Sequence, residues 1–150
     1  MNLLVRGRAR RRQLNRYEAY TGVPMGFLTT LRARLHDALN SDLNFEAKWI
    51  VTVTDGEVSC TRPNGRVESL KWDDLEVVAI ETTDEGPYVM DVFWYLAGES
   101  TGCVVPNGAS GGSEMLKRLQ TLPGFDNDAL SNAMASTSNA QFILWRKHAT

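Results

Sequence analysis

Between Trp49 and Pro106 the chain breaks into six short runs rich in β-branched and aromatic residues, and most breaks carry a turn signal. That rhythm constrains the fold more than any other feature. In Trp49–Val53 the residues Trp49, Val51 and Val53 alternate with polar or smaller ones, the period of two in which successive side chains face opposite sides of a strand. Asp55–Gly56 then reads as a hairpin turn of the kind that needs positive φ, and Val58–Thr61 returns as the second strand. Pro63-Asn64-Gly65 is the next turn, followed by a third strand over Arg66–Leu70. Leu75–Thr83 reads as a central strand, Tyr88–Leu96 as one covered on both faces, and Gly102–Pro106 as the sixth.

The flanks have a different period. Phe27, Leu28, Leu31, Leu35, Ala38 and Leu39 recur at three and four, which puts them on one face of a helix opposite Arg32, Arg34 and Asp37. Ser113 is expected to cap a second helix with Met115, Leu116, Leu119 and Leu122 as its buried stripe and Pro123-Gly124 as its stop. Asp126 is expected to cap a third, with Phe125 stapled onto Leu130. Phe142–Trp145 is too short to classify by period and is expected to return to the core. The sum is an α+β domain: an N-terminal helix, a mainly antiparallel sheet of about six strands, and C-terminal helices. A strand run followed by helix is similar in order to the pleckstrin-homology architecture, a likeness that licenses no function.

At 150 residues, 43% hydrophobic and 23% charged, the chain is long enough for one core and too ordinary in composition for disorder or a disulfide framework. The charge is uneven. Residues 1–40 carry eight arginines against Glu18 and Asp37, a balance of +6, while the other 110 residues carry 8 basic and 16 acidic groups, a balance of −8. The expected organisation is a basic flexible extension over 1–24, ending at the turn signal Thr21-Gly22-Val23-Pro24, and a single domain over 25–150, with Met25 an alternative start. Nucleic-acid binding is expected of nothing outside the 1–24 arm. No apolar run approaches the roughly 20 residues that cross a bilayer, and the start lacks the apolar stretch of a secretory signal, so a cytoplasmic location is expected.

The chemical motifs fail on context. Gly98-Glu99-Ser100-Thr101-Gly102 fits the nucleophile elbow G-x-S-x-G, with Asp126 and His148 following in hydrolase order. An elbow is strand, strained turn, helix, and here a strand follows. His36 and His148 are the only histidines, and both are expected to face solvent. Cys60 and Cys103 sit in strand-like runs that suit buried, inert thiols better than a bridge. No four-ligand metal site can be assembled from these groups, Asp126-Asn127-Asp128 lacks the rest of a calcium loop, and Gly108–Ser113 lacks the Lys-Ser/Thr of a phosphate loop. No catalytic residue, metal or cofactor is therefore expected.

The strings Thr82-Thr83-Asp84-Glu85-Gly86-Pro87, Asp91-Val92-Phe93-Trp94, Gly102-Cys103-Val104-Val105-Pro106, Leu122-Pro123-Gly124-Phe125-Asp126-Asn127 and Phe142-x-x-Trp145 resemble a family of small uncharacterised bacterial proteins. The resemblance spans residues 45 to 147 and brings no activity with it. In general type, small, acidic and without catalytic groups, the chain is similar to immunity proteins that neutralise toxins. Asp73, Asp74, Glu76, Glu81, Asp84, Glu85, Asp91 and Glu99 concentrate within fewer than thirty residues, beside Trp72, Tyr88, Trp94 and Tyr95. Dense carboxylates draw in a basic protein, and aromatic groups beside charge are what interfaces use. The expected partner-binding residues are Asp73, Asp74, Glu76, Asp84, Glu85, Asp91, Glu99, Trp72 and Tyr88. The first expectation is thus a non-enzymatic, immunity- or antitoxin-like module whose acidic face occludes a basic partner, such as a toxin. A pleckstrin-homology-like peptide- or lipid-binding module is second, and a hydrolase using Ser100 a distant third.

Overall fold

A computed structural model describes residues 46–84 and 91–148. The helix expected over Phe27–Leu39, the extension 1–24, and Glu85 and Tyr88 lie outside the described residues. What is described is an α+β arrangement of seven strands and two helices in the order β1 (Ile50–Val53), β2 (Glu57–Thr61), β3 (Val67–Lys71), β4 (Val77–Thr82), β5 (Val92–Ala97), β6 (Gly102–Pro106), α1 (Gly112–Gln120), α2 (Asn127–Ala135) and β7 (Ala140–Arg146). The expected single sheet of about six strands is instead two antiparallel sheets, β1-β2-β3 and β6-β5-β4-β7. The division falls at Trp72–Asp74, a short 3-10 turn between β3 and β4. A tight hairpin would have kept β4 beside β3, whereas this turn lets β4 pair with β5 and β7. A strand also follows the helices, so the order behind the pleckstrin-homology analogy is not kept.

The three-stranded sheet follows the alternation written in its sequence. Val51, Val58, Cys60 and Leu70 point inward and are buried, while Thr52, Glu57, Val67 and Ser69 face out. Its turns are built differently from one another. Gly56 has no positive φ, contrary to expectation, because the Thr54 hydroxyl accepts from the Glu57 amide at 3.1 Å and Thr54 N donates to Glu57 O at 2.9 Å. Gly65, with φ 85°, is the left-handed turn residue, and the Asn64 side chain accepts from Arg66 N at 3.0 Å. Beyond that turn the buried Arg62 guanidinium pairs with Glu68, 2.7 Å from Nε to Oε1, and lies 5.2 Å from the centre of the Trp49 ring.

The four-stranded sheet is buried on both faces. Paired residues share a face, so Val78, Leu96, Cys103 and Trp145 form one row and Ile80, Trp94, Val105 and Phe142 the next on the same side. That side meets the rest of the described protein. Cys103 Sγ lies 3.9 Å from Val58 O of β2, Trp94 Nε1 donates to Asn107 Oδ1 at 3.1 Å, and Trp145 Nε1 donates to Pro123 O at 3.0 Å. The Thr82 hydroxyl, at the end of this face, donates to Ser138 O at 2.7 Å, just past α2. The run Phe142–Trp145, unclassifiable alone, is the heart of β7, and an irregularity in its pairing between Val78 and Ala79 hides the period.

The helices close the first face. Met115 and Leu119 of α1 are fully buried, together worth several kcal/mol of apolar burial at about 1.5–3 kcal/mol each, with Leu116 and Leu122 packed against them. The cap of α1 is Gly111 with φ 85°, not Ser113 as expected. A Cβ at Gly111 would collide with the carbonyl oxygen of Val51, so only glycine allows the helix to start this close to β1. Asp126 caps α2 as its sequence demands, its side chain accepting from Ala129 N at 2.8 Å.

Candidate functional site: an acidic end of the four-stranded sheet

Antiparallel pairing decides which carboxylates meet. The loops at the start of β4, at the β5–β6 turn and at the end of β7 all fall at one end of the four-stranded sheet. Glu76 N donates to Ala97 O at 2.8 Å, and Lys147 N to Glu76 O at 2.8 Å. Gly98 N donates to Thr101 O at 2.8 Å, closing the turn that carries Glu99 and Ser100. The Asp74 backbone is packed so tightly on that turn that a Cβ on Gly98 would lie 2.6 Å from Asp74 O. Asp73, Asp74, Glu76 and Glu99 therefore share one end.

One ammonium group organises them. Lys147 Nζ donates to the main-chain oxygen of Asp73 at 2.9 Å and reaches Glu76 Oε1 at 3.3 Å. Among the described residues Asp73, Asp74 and Glu99 form no ion pair, and all three are exposed. Arg146 and Lys147 offset part of the charge without reaching the Asp74 and Glu99 side chains. Nothing in the sequence pointed to Lys147, because its position depends on β7 pairing with β4 across most of the domain.

Asp84 and Asp91 stand at the opposite end. Thr83 N donates to Asp91 O at 2.8 Å beyond the far ends of β4 and β5. At roughly 3.3 Å per residue the strands separate the two groups by about 20 Å. Asp91 instead neighbours Glu46, whose carboxylate accepts from Gly108 N–H. Burial, ahead of any other cause, holds the Glu46 carboxyl above its usual range, and Asp91 adds to the rise. The seven described members of the acidic cluster seen in sequence thus form no single face in space. Glu81 lies between, in β4, bonded by Gln141 Nε2 at 3.3 Å.

The described aromatic residues of that stretch, Trp72, Trp94 and Tyr95, are spent on packing. Trp72 is half-buried, its Nε1 donates to Thr54 O at 2.8 Å, and Arg118 of α1 lies 5.0 Å from its ring centre. Trp94 and Tyr95 are buried. Between α1 and the outer edge of β1 runs an open groove of about 530 Å³, floored by Val51 and Val53 and flanked by Glu114, Lys117, Arg118 and Thr121. The Gly108–Ser113 loop blocks the start of that edge, with Val51 N donating to Ser110 O at 2.7 Å and Ser110 N to Trp49 O at 2.8 Å.

Ser100 lies in a strand-turn-strand hairpin, not at a strand-to-helix elbow. His148 leaves β7, which β4 separates from β5 by roughly 10 Å, and the Asp126 carboxylate is engaged at its helix cap. Cys60 and Cys103 are free and buried. Burial pushes the Cys60 thiol up to about 12, with the Glu68 carboxylate acting in the same direction, and burial raises Cys103 likewise. Among the described residues no three metal-ligating side chains converge, and no helix is long and apolar enough to cross a membrane. In comparison with known proteins, no family model, no curated protein and no solved structure matches the chain.

Proposed function

We propose that the protein is a non-enzymatic binding module that receives a basic protein partner on the acidic end of its four-stranded sheet. The observation that carries this reading is the convergence of Asp73, Asp74 and Glu76 from the β3–β4 connection with Glu99 from the β5–β6 turn, with one lysine from the end of β7 fixing the loop backbone rather than neutralising the outer carboxylates. Exposed carboxylates held on short, backbone-locked loops attract a basic surface over a Debye length and lose little conformational freedom when it docks. Asp84 and Asp91, on the opposite end, are not part of that surface, and the Trp72 ring is engaged by Thr54 O and Arg118. Occlusion of a basic toxin, in the manner of the immunity proteins that the chain is similar to in general type, is the physiological form this reading takes, in the cytoplasm. The experiment is affinity purification of the full chain from its source cells at low and at high salt. A stoichiometric basic protein present at low salt and released at high salt supports the reading; recovery of lipid, of nucleotide or of nothing overturns it.

A further inference from the structure

Strand pairing fixes what the two outer edges of the three-stranded sheet present. Arg62 N donates to Arg66 O at 2.8 Å and Trp72 N to Gly56 O at 3.0 Å, so the even-numbered residues of β3 turn their main-chain groups toward β2. The N–H and C=O groups of Val67, Ser69 and Lys71 point the other way, off the edge, and among the described residues no group bonds to them. At the opposite edge Ser110 already pairs with β1 through Val51 N and Trp49 O. Among the described residues no loop does the same for β3, whose Val67, Ser69 and Lys71 are all exposed. The strand holds no proline, its register with β2 has no bulge, and its outward side carries the single charge of Lys71. An open edge of this kind is a template for one more strand. We propose that the basic partner enters here as an extended segment, adding a fourth strand beside Val67–Lys71 and passing its cationic side chains along the acidic end. This rests on the reading that the partner is basic and docks at that end.

Two observations select that occupant. The first is continuity. β3 runs directly into Trp72–Asp74, and a Cβ on Gly98 would lie 3.0 Å from Leu70 Cδ1 and 2.6 Å from Asp74 O, so the end of β3 abuts the turn that carries Glu99. A strand laid along the edge therefore passes the exposed carboxylates of Asp73, Asp74 and Glu99. The second is Glu68, which points inward from the middle of the same edge strand, opposite Cys60. Its side chain is 7% exposed, its Oε1 takes Arg62, and its Oε2 is buried without a hydrogen-bond partner. A residue directly across from it on an added strand would have its Cβ about 5 Å away, and a lysine or arginine there supplies the missing donor. Leaving a buried acceptor unmet costs more than an ordinary hydrogen bond contributes. The β3 of a second copy would offer Glu68 and Leu70 on that side, neither of them a cation.

The test adds a peptide of alternating lysine and valine, about nine residues long, to the full chain and follows main-chain hydrogen exchange residue by residue by NMR. The amides of Val67, Ser69 and Lys71 are expected to slow at least about tenfold at saturating peptide, while that of Val53, at the opposite edge, does not change. Ser69→Pro removes a donor that points off an edge, where proline is tolerated. It is expected to keep the urea midpoint of wild type and to weaken peptide binding at least about tenfold, whereas Ser69→Ala changes neither. Should Ser69→Pro lower the midpoint, the exchange pattern of the wild type decides. Binding that leaves the three amides exchanging as before overturns strand addition; if Asp73→Lys, Asp74→Lys and Glu99→Lys together still abolish that binding, the acidic-end reading stands without it. Equal binding of a peptide with glutamate in place of lysine overturns both. Absence of binding, or exchange at β3 that slows with protein concentration alone through self-association, overturns the proposal.

Discussion

Lys147 Nζ lies 2.9 Å from the main-chain oxygen of Asp73, a bond that joins the last strand to the turn between the two sheets. Its second contact, to Glu76 Oε1, is half-exposed on both sides. Exposed pairs contribute little, so Lys147→Met is expected to cost about 0.5–1 kcal/mol. The loss should be smaller in high salt, where the wild-type ion pair is screened. Urea unfolding at two salt concentrations measures both.

The junction of β1 and α1 depends on a glycine. Gly111→Ala combines positive φ with a Cβ driven into the Val51 carbonyl and is expected to cost 2 kcal/mol or more, about 1–2 from the backbone conformation alone. Gly56→Ala, in a turn with no positive φ and no atom within 4 Å of the added carbon, is expected to stay within about 0.5 kcal/mol of wild type. Thermal or urea unfolding of the two variants side by side decides whether the close approach is real.

Glu46 sets a pH dependence of definite sign. Burial holds its folded carboxyl above the ordinary value, so the folded state keeps the proton more tightly than the unfolded state does. Stability from this group is present below the ordinary value and is lost as pH rises through the raised one. Glu46→Gln retains an acceptor for Gly108 N–H and removes the charge. It is therefore expected to be more stable than wild type at neutral pH and to lose that advantage in acid. A gain that persists or grows in acid would contradict the assignment.

The two thiols are expected to be silent. Both are buried and held well above their usual pKa, Cys60 by burial first and by Glu68 second. Neither should react with a thiol reagent at pH 8 in the folded protein, and both should react at once in denaturant. Rapid labelling of Cys103 in the native state would show that the packing between β2 and β6 is looser than described.

Local signals were legible and non-local ones were not. The Gly102–Pro106 strand and the Asp126 cap were read correctly because turn and capping chemistry is written within a few residues. The α+β class followed from the same alternation. The division into two sheets was hidden, because it rests on β4 choosing Arg146 and Trp145 as partners of Val77 and Val78, a pairing closed through β7. The acidic site was half legible: the carboxylates were visible, but antiparallel pairing sends Asp73, Asp74, Glu76 and Glu99 to one end and Asp84 and Asp91 to the other. Gly111 escaped notice because its requirement comes from Val51, on a strand sixty residues earlier in the chain.

The most direct test of the acidic end is a comparison of two charge reversals against the partner captured at low salt. Asp73→Lys, Asp74→Lys and Glu99→Lys together are expected to weaken binding at least about tenfold, mainly through slower association. Asp84→Lys with Asp91→Lys, at the far end, is expected to leave the affinity within about twofold of wild type, beyond the reach of the contact and of most screening. Equal losses from both sets, or a loss only from the second, would contradict the proposal that the partner docks where β4, the β5–β6 turn and Lys147 meet.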